Sequence, residues 1–289
     1  MRCWKTLLLV SYGLCLLQWR TWAAGSGVCA IDFDGNLKTN HGERPAVCPG
    51  DVSLVAGKTG QAALFRAGAA LSYPAKGNYH PRSGSVQFWV KPLWDSAGTK
   101  EHRVFWAVDA DPGQDNRVAI GLFSKSWGQP GGFVYLHNGP YGPDRPEEIR
   151  VNEPTGDNIM VPVDWRAGQW HHLAAYWDDD VNYRALYIDG VKRGVTSFSF
   201  PMPTHAAVFH IGGRVGADGK AVAVADAAID AFKLYAVVEN EEYPRLAKAR
   251  QSYLAAHRRL AERYSLGRVG RERLEVGWEN LQGTAQPLS

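Results

Sequence analysis

The residues best suited to contact a ligand lie in Lys125–Arg145, a stretch rich in glycine, proline and aromatic residues. The candidate contact residues in it are Trp127, Tyr135, His137, Asn138 and Tyr141. Aromatic rings can stack on sugar rings, and amide and imidazole groups can bond to hydroxyls. Because such loops commonly hold binding residues on a scaffold, the pattern predicts a carbohydrate site. The alternative is that these aromatic residues pack in the core or between loops.

Asp230 is a carboxylate whose position demands a partner. Side chains alternate along a strand, so Asp230 is predicted to share a face with Phe232 and Leu234. If that face is buried, the carboxylate must bind a cation or accept hydrogen bonds. The sequence leaves both interpretations open: a calcium ion, or backbone N–H groups from a neighbouring loop.

Paired carboxylates for glycoside hydrolysis are not evident. Two carboxyl groups must flank the scissile bond, whereas the adjacent Glu147 and Glu148 would point to opposite faces of a strand. Glu239, Glu241 and Glu242 precede a predicted helix, where the helix dipole favours acids. We therefore predict that the protein is not an enzyme, with a glycan-active hydrolase as the less favoured alternative.

Short alternating segments must position these residues. They are Ser85–Val90, Trp170–Trp177, Arg184–Asp189 and Ala207–Ile211, and the pair Asp189-Gly190 is typical of a tight hairpin turn. Many short strands without helical segments between them predict an all-β sandwich or barrel. The strand tryptophans Trp89, Trp170 and Trp177 are expected to fill its core. Of the pair His171-His172 only one can face the core, so the pair is interpreted as structural.

The N-terminus predicts export. Met1–Lys5 is basic, Thr6–Trp19 is apolar but short for a membrane span, and Thr21–Ala24 offers small residues for cleavage. Residues 1–24 are therefore a predicted signal peptide, with an uncleaved anchor as the alternative. We expect a secreted, periplasmic or cell-surface protein with no transmembrane segment in the mature chain.

The net charge limits the class of binding partner. The formal net charge is +3, but the three basic residues of positions 1–23 account for it, so the remaining chain is neutral. Nucleic-acid affinity depends on neutralising phosphates, so a neutral chain argues against a nucleic-acid partner.

The cysteine content predicts a disulfide. After cleavage of the signal peptide, Cys29 and Cys48 remain, and an even number of cysteines in an exported chain favours a disulfide over two free thiols.

The pattern changes after position 238. Residues 239–266 carry apolar side chains at helical spacing: Leu246, Tyr253, Leu254, His257, Leu260, Ala261 and Tyr264. This predicts a C-terminal helix, either packed on the domain or binding a partner. Residues 267–289 are a predicted tail. The predicted β domain is 25–238.

The order of the strand motifs resembles a known family. The motifs that carry the resemblance are Gly57–Phe65, Gly84–Trp94, Trp165–Ala174 running into Trp177-Asp178, Ala185–Gly190, Ile211–Gly213 and Ala228–Tyr235. The chain resembles a LamG-like jellyroll domain of the concanavalin A-like lectin/glucanase superfamily over about residues 30–255. The resemblance implies a two-sheet antiparallel jellyroll of about 12–14 strands.

The resemblance also implies function and a metal. Members are exported and bind carbohydrate or other extracellular ligands, and many hold structural Ca²⁺ between their first and last strands. The matching positions here are Asp32, Asp34, Asn36 and Asp230. Laminarinase-like relatives use an E-x-D-x-E motif, which this sequence lacks. We expect an exported, non-catalytic carbohydrate-binding module. The alternative is an extracellular protein-interaction or structural module without a sugar site.

Overall fold

A computed structural model describes residues 27–46, 49–99, 101–112, 117–123, 132–139, 157–180, 182–196, 200–216 and 218–236. These residues form strands and no helix. The strands are β1 Gly27–Ile31, β2 Ser53–Ala56, β3 Gln61–Phe65, β4 Leu71–Pro74, β5 Ser83–Pro92, β6 Arg103–Val108, β7 Arg117–Phe123, β8 Gly132–Gly139, β9 Asp157–Val163, β10 His171–Asp178, β11 Tyr183–Ile188, β12 Val191–Thr196, β13 Val208–Ile211, β14 Arg214–Val215, β15 Ala221–Val222 and β16 Ala227–Tyr235.

The strands pair into two antiparallel sheets. One is 8-stranded, in the order β12-β11-β10-β5-β16-β3-β2 with β1 also on β16, and the other is 6-stranded, in the order β4-β13-β6-β7-β8-β9. The β14–β15 hairpin forms a small third sheet. The predicted all-β jellyroll sandwich is confirmed.

The core lies between the two sheets. Val86, Phe88 and Val90 of β5 face it, and Leu136 of β8 approaches from the other sheet. The predicted turn joins β11 to β12, with φ 54° at Asp189 and 77° at Gly190. Positive φ at both central residues suits the right-handed twist of a hairpin.

Part of the predicted loop Lys125–Arg145 is a central strand. Residues 132–139 form β8, paired on both sides with β7 and β9. Val134 and Leu136 alternate toward the core. This alternation was the sequence signal for a strand, and the surrounding glycines and prolines obscured it.

A bulge in β16 corrects the prediction for Asp230. Asp230 pairs with Trp89 and Lys233 with Gln87, so two residues of β16 lie opposite the single residue Phe88. Ala231, inside the bulge, has a φ of 49°. A bulge reverses the alternation beyond it, so Asp230 does not share a face with Phe232.

Several predicted segments lie outside the described residues: 1–24, the helix 239–266 and the tail 267–289. In the part of the chain that the structure describes, no helix is long and apolar enough to cross a membrane.

Candidate functional site

Three of the predicted sugar contacts are buried on β8. Tyr135, His137 and Asn138 are 2%, 1% and 0% exposed. The Tyr135 hydroxyl is 3.0 Å from Nε2 of His102. Asn138 points inward, and its amide donates to the carbonyl of Phe200 at 2.6 Å. In this structure these three residues support the fold and are not available to a ligand. Trp127 and Tyr141 lie outside the described residues and stay predictions.

His137 belongs to a row that crosses the outer face of the six-stranded sheet. The register places Ser72, His210, Ala107, Ala119, His137 and Asn158 side by side on successive strands. Nδ1 of His137 lies 2.7 Å from Oδ1 of Asn158. The two alanines lie between the polar residues at the two ends of the row.

The other end of the row is a polar chain that leads from the buried Ser72 to the partly exposed Asp109. The Ser72 hydroxyl is 2.7 Å from Nδ1 of His210, whose Nε2 is 3.1 Å from Asp109. The contact between Nε2 and Asp109 does not meet hydrogen-bond geometry. Arg214 also contacts Asp109, at 3.3 Å. Burial alone would raise the pKa of Asp109, but His210 and Arg214 together lower it.

This chain has the residue types of a nucleophilic site without access for a substrate. A hydroxyl bonded to a histidine, which is oriented by a third group, can act as a nucleophile. Ser72 and His210 are, however, 2% and 1% exposed. Asp109, whose pKa is lowered, is ionised beside His210, as an orienting carboxylate would be, so only burial argues against a nucleophilic site. In this structure the hydroxyl of Ser72 is therefore closed off from a substrate.

The predicted calcium ligands hold a turn. Oδ2 of Asp230 accepts the backbone N–H groups of Lys58 at 2.7 Å and Thr59 at 3.0 Å. Oδ1 of Asp34 accepts the N–H of Gln61 at 2.7 Å. This matches the second interpretation of Asp230, in which its carboxylate accepts N–H groups from a neighbouring loop.

The same groups are occupied by backbone N–H donors in this structure. Asp32 accepts the N–H of Asp34 at 3.1 Å, and Asn36 accepts that of Lys38 at 2.8 Å. No group of three or more His, Cys, Asp or Glu among the described residues could hold a metal ion. The donor set, in this arrangement, does not fit calcium. Binding at Asp32, Asp34, Asn36 and Asp230 stays a prediction.

The structure reveals an aromatic surface that the sequence analysis missed. Trp177 is buried, but Trp89 and Trp170 are partly exposed, and Trp89 lies on the outer face of the eight-stranded sheet. Because Phe88 and Val90 face the core, alternation puts Trp89 on the opposite face. That signal was present in the sequence.

Cationic and polar groups surround these rings. Nζ of Lys58 is 4.5 Å from the centre of the Trp89 ring, and Nζ of Lys91 is 4.9 Å from that of Trp170. The rings of Trp89 and His172 are 5.0 Å apart. We name Lys58, Trp89, Lys91, Trp170 and His172 the tryptophan–lysine surface.

His172 is expected to make the folding stability depend on pH. Burial lowers the pKa of its imidazole, against the opposing charge of Asp189. Below about pH 6.5 the unfolded chain takes up this proton before the folded chain does, so stability should fall as pH falls. In urea unfolding from about pH 7.5 to about pH 5, His172→Gln should remove part of this loss. His205→Gln changes a side chain that is 82% exposed and should leave this loss unchanged. If the free energy of unfolding falls equally with pH in the wild type and both variants, the prediction is wrong.

Cys29 is buried with a free thiol, and burial raises its pKa to about 12. The structure therefore shows no disulfide at Cys29. Cys48 lies outside the described residues. The Cys29–Cys48 disulfide stays a prediction.

Solved structures share this architecture. Domain 4 of AbnA, a GH43 extracellular arabinanase from Geobacillus stearothermophilus in complex with arabinotriose, matches with a TM-score of 0.51 and 20% identity, over 73% of this chain and 92% of that one. The binding domain of botulinum neurotoxin serotype D/C VPI 5993 matches with a TM-score of 0.52 and 14% identity, over 75% of this chain and 50% of that one. At these identities the likeness concerns the fold.

Sequence comparison reaches the same family. No curated protein sequence matches the chain significantly. A laminin G family model, described as the concanavalin A-like lectin/glucanases superfamily, matches residues 65–242. This range includes most of both sheets. The chain therefore belongs to the concanavalin A-like lectin/glucanases superfamily.

Proposed function

We propose that this chain is an exported, non-catalytic carbohydrate-binding module whose sugar contacts lie on the tryptophan–lysine surface. The observation that carries the proposal is the pair of partly exposed rings, Trp89 and Trp170, beside hydrogen-bonding groups on a rigid sheet. Indole rings offer apolar faces to sugar C–H groups, while lysine and imidazole nitrogens can bond to hydroxyls.

The position of these residues supports a preorganised site. Register pairs Trp89 with His172, so their side chains are neighbours on two hydrogen-bonded strands. Strand-borne side chains lose little conformational freedom when a ligand binds. The structural neighbour from AbnA, which holds arabinotriose, makes arabinan oligosaccharides the first ligands to test.

Export rests on the N-terminal sequence. A basic start, a short apolar segment and small residues at Thr21–Ala24 support a cleaved signal peptide. The predicted Cys29–Cys48 disulfide would suit an exported chain.

The test is a glycan-array screen of residues 25–289 with calcium and with EDTA, followed by titration of any bound glycan. Replacing both Trp89 and Trp170 with alanine should weaken binding by about tenfold or more, since losing about 1.4 kcal/mol of stacking is a factor of ten. Val195→Ala is the matched control: it removes an exposed apolar side chain, 42% exposed, from the same sheet.

A second pair of variants separates two possible sites. If Trp127→Ala and Tyr141→Ala abolish binding while the Trp89 and Trp170 variant retains it, the site lies in the predicted loop stretch. If folded protein binds no glycan, the protein-interaction module becomes the better explanation. Glycan cleavage during the screen would contradict the non-catalytic assignment.

A further inference from the structure

A buried apolar patch lies on the outer face of the eight-stranded sheet, beyond the tryptophan–lysine surface. We name it the outer tyrosine patch; its members are Ala174, Tyr176, Tyr183, Ala185 and Tyr187. Tyr176 and Tyr187 meet edge to face with ring centroids 5.1 Å apart. The patch faces away from the core, because Ala175 and Trp177 alternate with its β10 members and lie in the core cluster.

The burial of this patch requires a third layer of protein. Ala174, Tyr176, Tyr183 and Ala185 are 3%, 3%, 2% and 0% exposed. In a two-layer sandwich the outer face of an antiparallel sheet faces water. Outer tyrosines at this level of exposure must therefore be covered by another segment.

The path of the chain indicates which segment this is. Tyr235, at the end of β16, pairs with Ser85 of β5, and Ser85 pairs with Tyr176. The Ser83 hydroxyl donates to the carbonyl of Ala236 at 3.4 Å, so the chain leaves the sheet beside β5. Since neighbouring strands are about 4.8 Å apart, Tyr235 lies about 10 Å from Tyr176.

The segment that follows has the required length and pattern. As a helix, residues 239–266 would extend about 42 Å. The four strands from β16 to β11, which are β16, β5, β10 and β11, are together only about 19 Å wide. One helical face would carry Leu246, Tyr253, His257, Leu260 and Tyr264, and the opposite face Lys248, Gln251, Ala255, Arg259 and Glu262. We propose that residues 239–266 pack as an amphipathic helix on the outer tyrosine patch.

This assigns the C-terminal segment to the domain itself. Its apolar face is buried against the sheet, so this face is not available to bind a partner protein. The tail 267–289 would then start from the sheet surface. The inference does not depend on sugar binding.

The first test uses the full chain. Leu260→Asp places a charge on the predicted apolar face and should increase nitration of Tyr176 and Tyr183 by tetranitromethane several-fold, measured by peptide mass spectrometry. Ala255→Asp introduces the same charge on the opposite face and should leave nitration unchanged. Equal nitration in wild type, Leu260→Asp and Ala255→Asp, in protein that still unfolds cooperatively, would overturn the proposal.

A second measurement does not depend on a destabilising change. Tyr187, at the partly buried rim of the patch, is replaced by the photoreactive p-benzoylphenylalanine, and the cross-linked peptide is identified after illumination. Cross-links to residues 239–266 of the same chain support the proposal. Cross-links to residues 140–156, or to a second copy of the chain, overturn it.

Discussion

Replacing Asp230 with alanine is expected to lower the free energy of unfolding by about 3 kcal/mol, because two backbone N–H groups lose the buried carboxylate that accepts them. Asp230 is 1% exposed, and one carboxylate oxygen accepts both Lys58 and Thr59. The bond joins the β2–β3 turn to the last strand. Urea unfolding followed by tryptophan fluorescence measures the loss.

Two variants sharpen this experiment. Asp230→Asn keeps an acceptor oxygen and should lose less than alanine does. Asp51→Ala, at an exposed aspartate, should have no measurable effect. If Asp230→Ala unfolds at the urea concentration of the wild type, the turn does not depend on this carboxylate.

The same proteins test the calcium prediction. With the carboxylates occupied by N–H groups, we expect wild-type stability to be equal in calcium and in EDTA. A calcium-dependent increase that Asp230→Asn abolishes would establish a metal site at this turn. Gly60 shows how closely the turn is enclosed, because a Cβ there would clash with the carboxylate of Asp34.

Replacing Arg184 with methionine is the second large change, with an expected loss of about 3 kcal/mol, since breaking a buried ion pair leaves its partner's charge uncompensated. Arg184 is 1% exposed and contacts Asp179 through Nη2. The other oxygen of Asp179 accepts the N–H of Met202 at 3.0 Å. Burial lowers the pKa of Arg184, whereas Asp179 raises it. Urea unfolding at neutral pH provides the measurement.

The aspartate next to Asp179 in sequence provides a matched control. Arg82 pairs with Asp180 at 2.8 Å, with side chains 71% and 54% exposed. Exposed pairs contribute little, so Arg82→Met should leave unfolding unchanged. Combining Arg184→Met with Asp179→Asn should cost less than the sum of the single changes, because the two residues are coupled. Strict additivity would show that they act independently.

Local pattern was sufficient for the strands and the fold class. Alternation in Ser85–Val90 predicted a strand, and Asp189-Gly190 predicted the turn that the structure contains. These features depend on residues close in sequence, because the two-residue alternation of a strand can be recognised without knowing which strands pair. The same rule, applied strictly, would also have placed Trp89 on the outer face.

Tertiary structure decided the roles of individual side chains. Asp179 and Asp180 are neighbours in sequence, yet one contacts the buried Arg184 and the other the exposed Arg82. The bulge at Ala231 turned Asp230 away from the face that alternation predicted, toward a turn more than 170 positions earlier. Burial and hydrogen-bond partners depend on long-range contacts, and no local period encodes them.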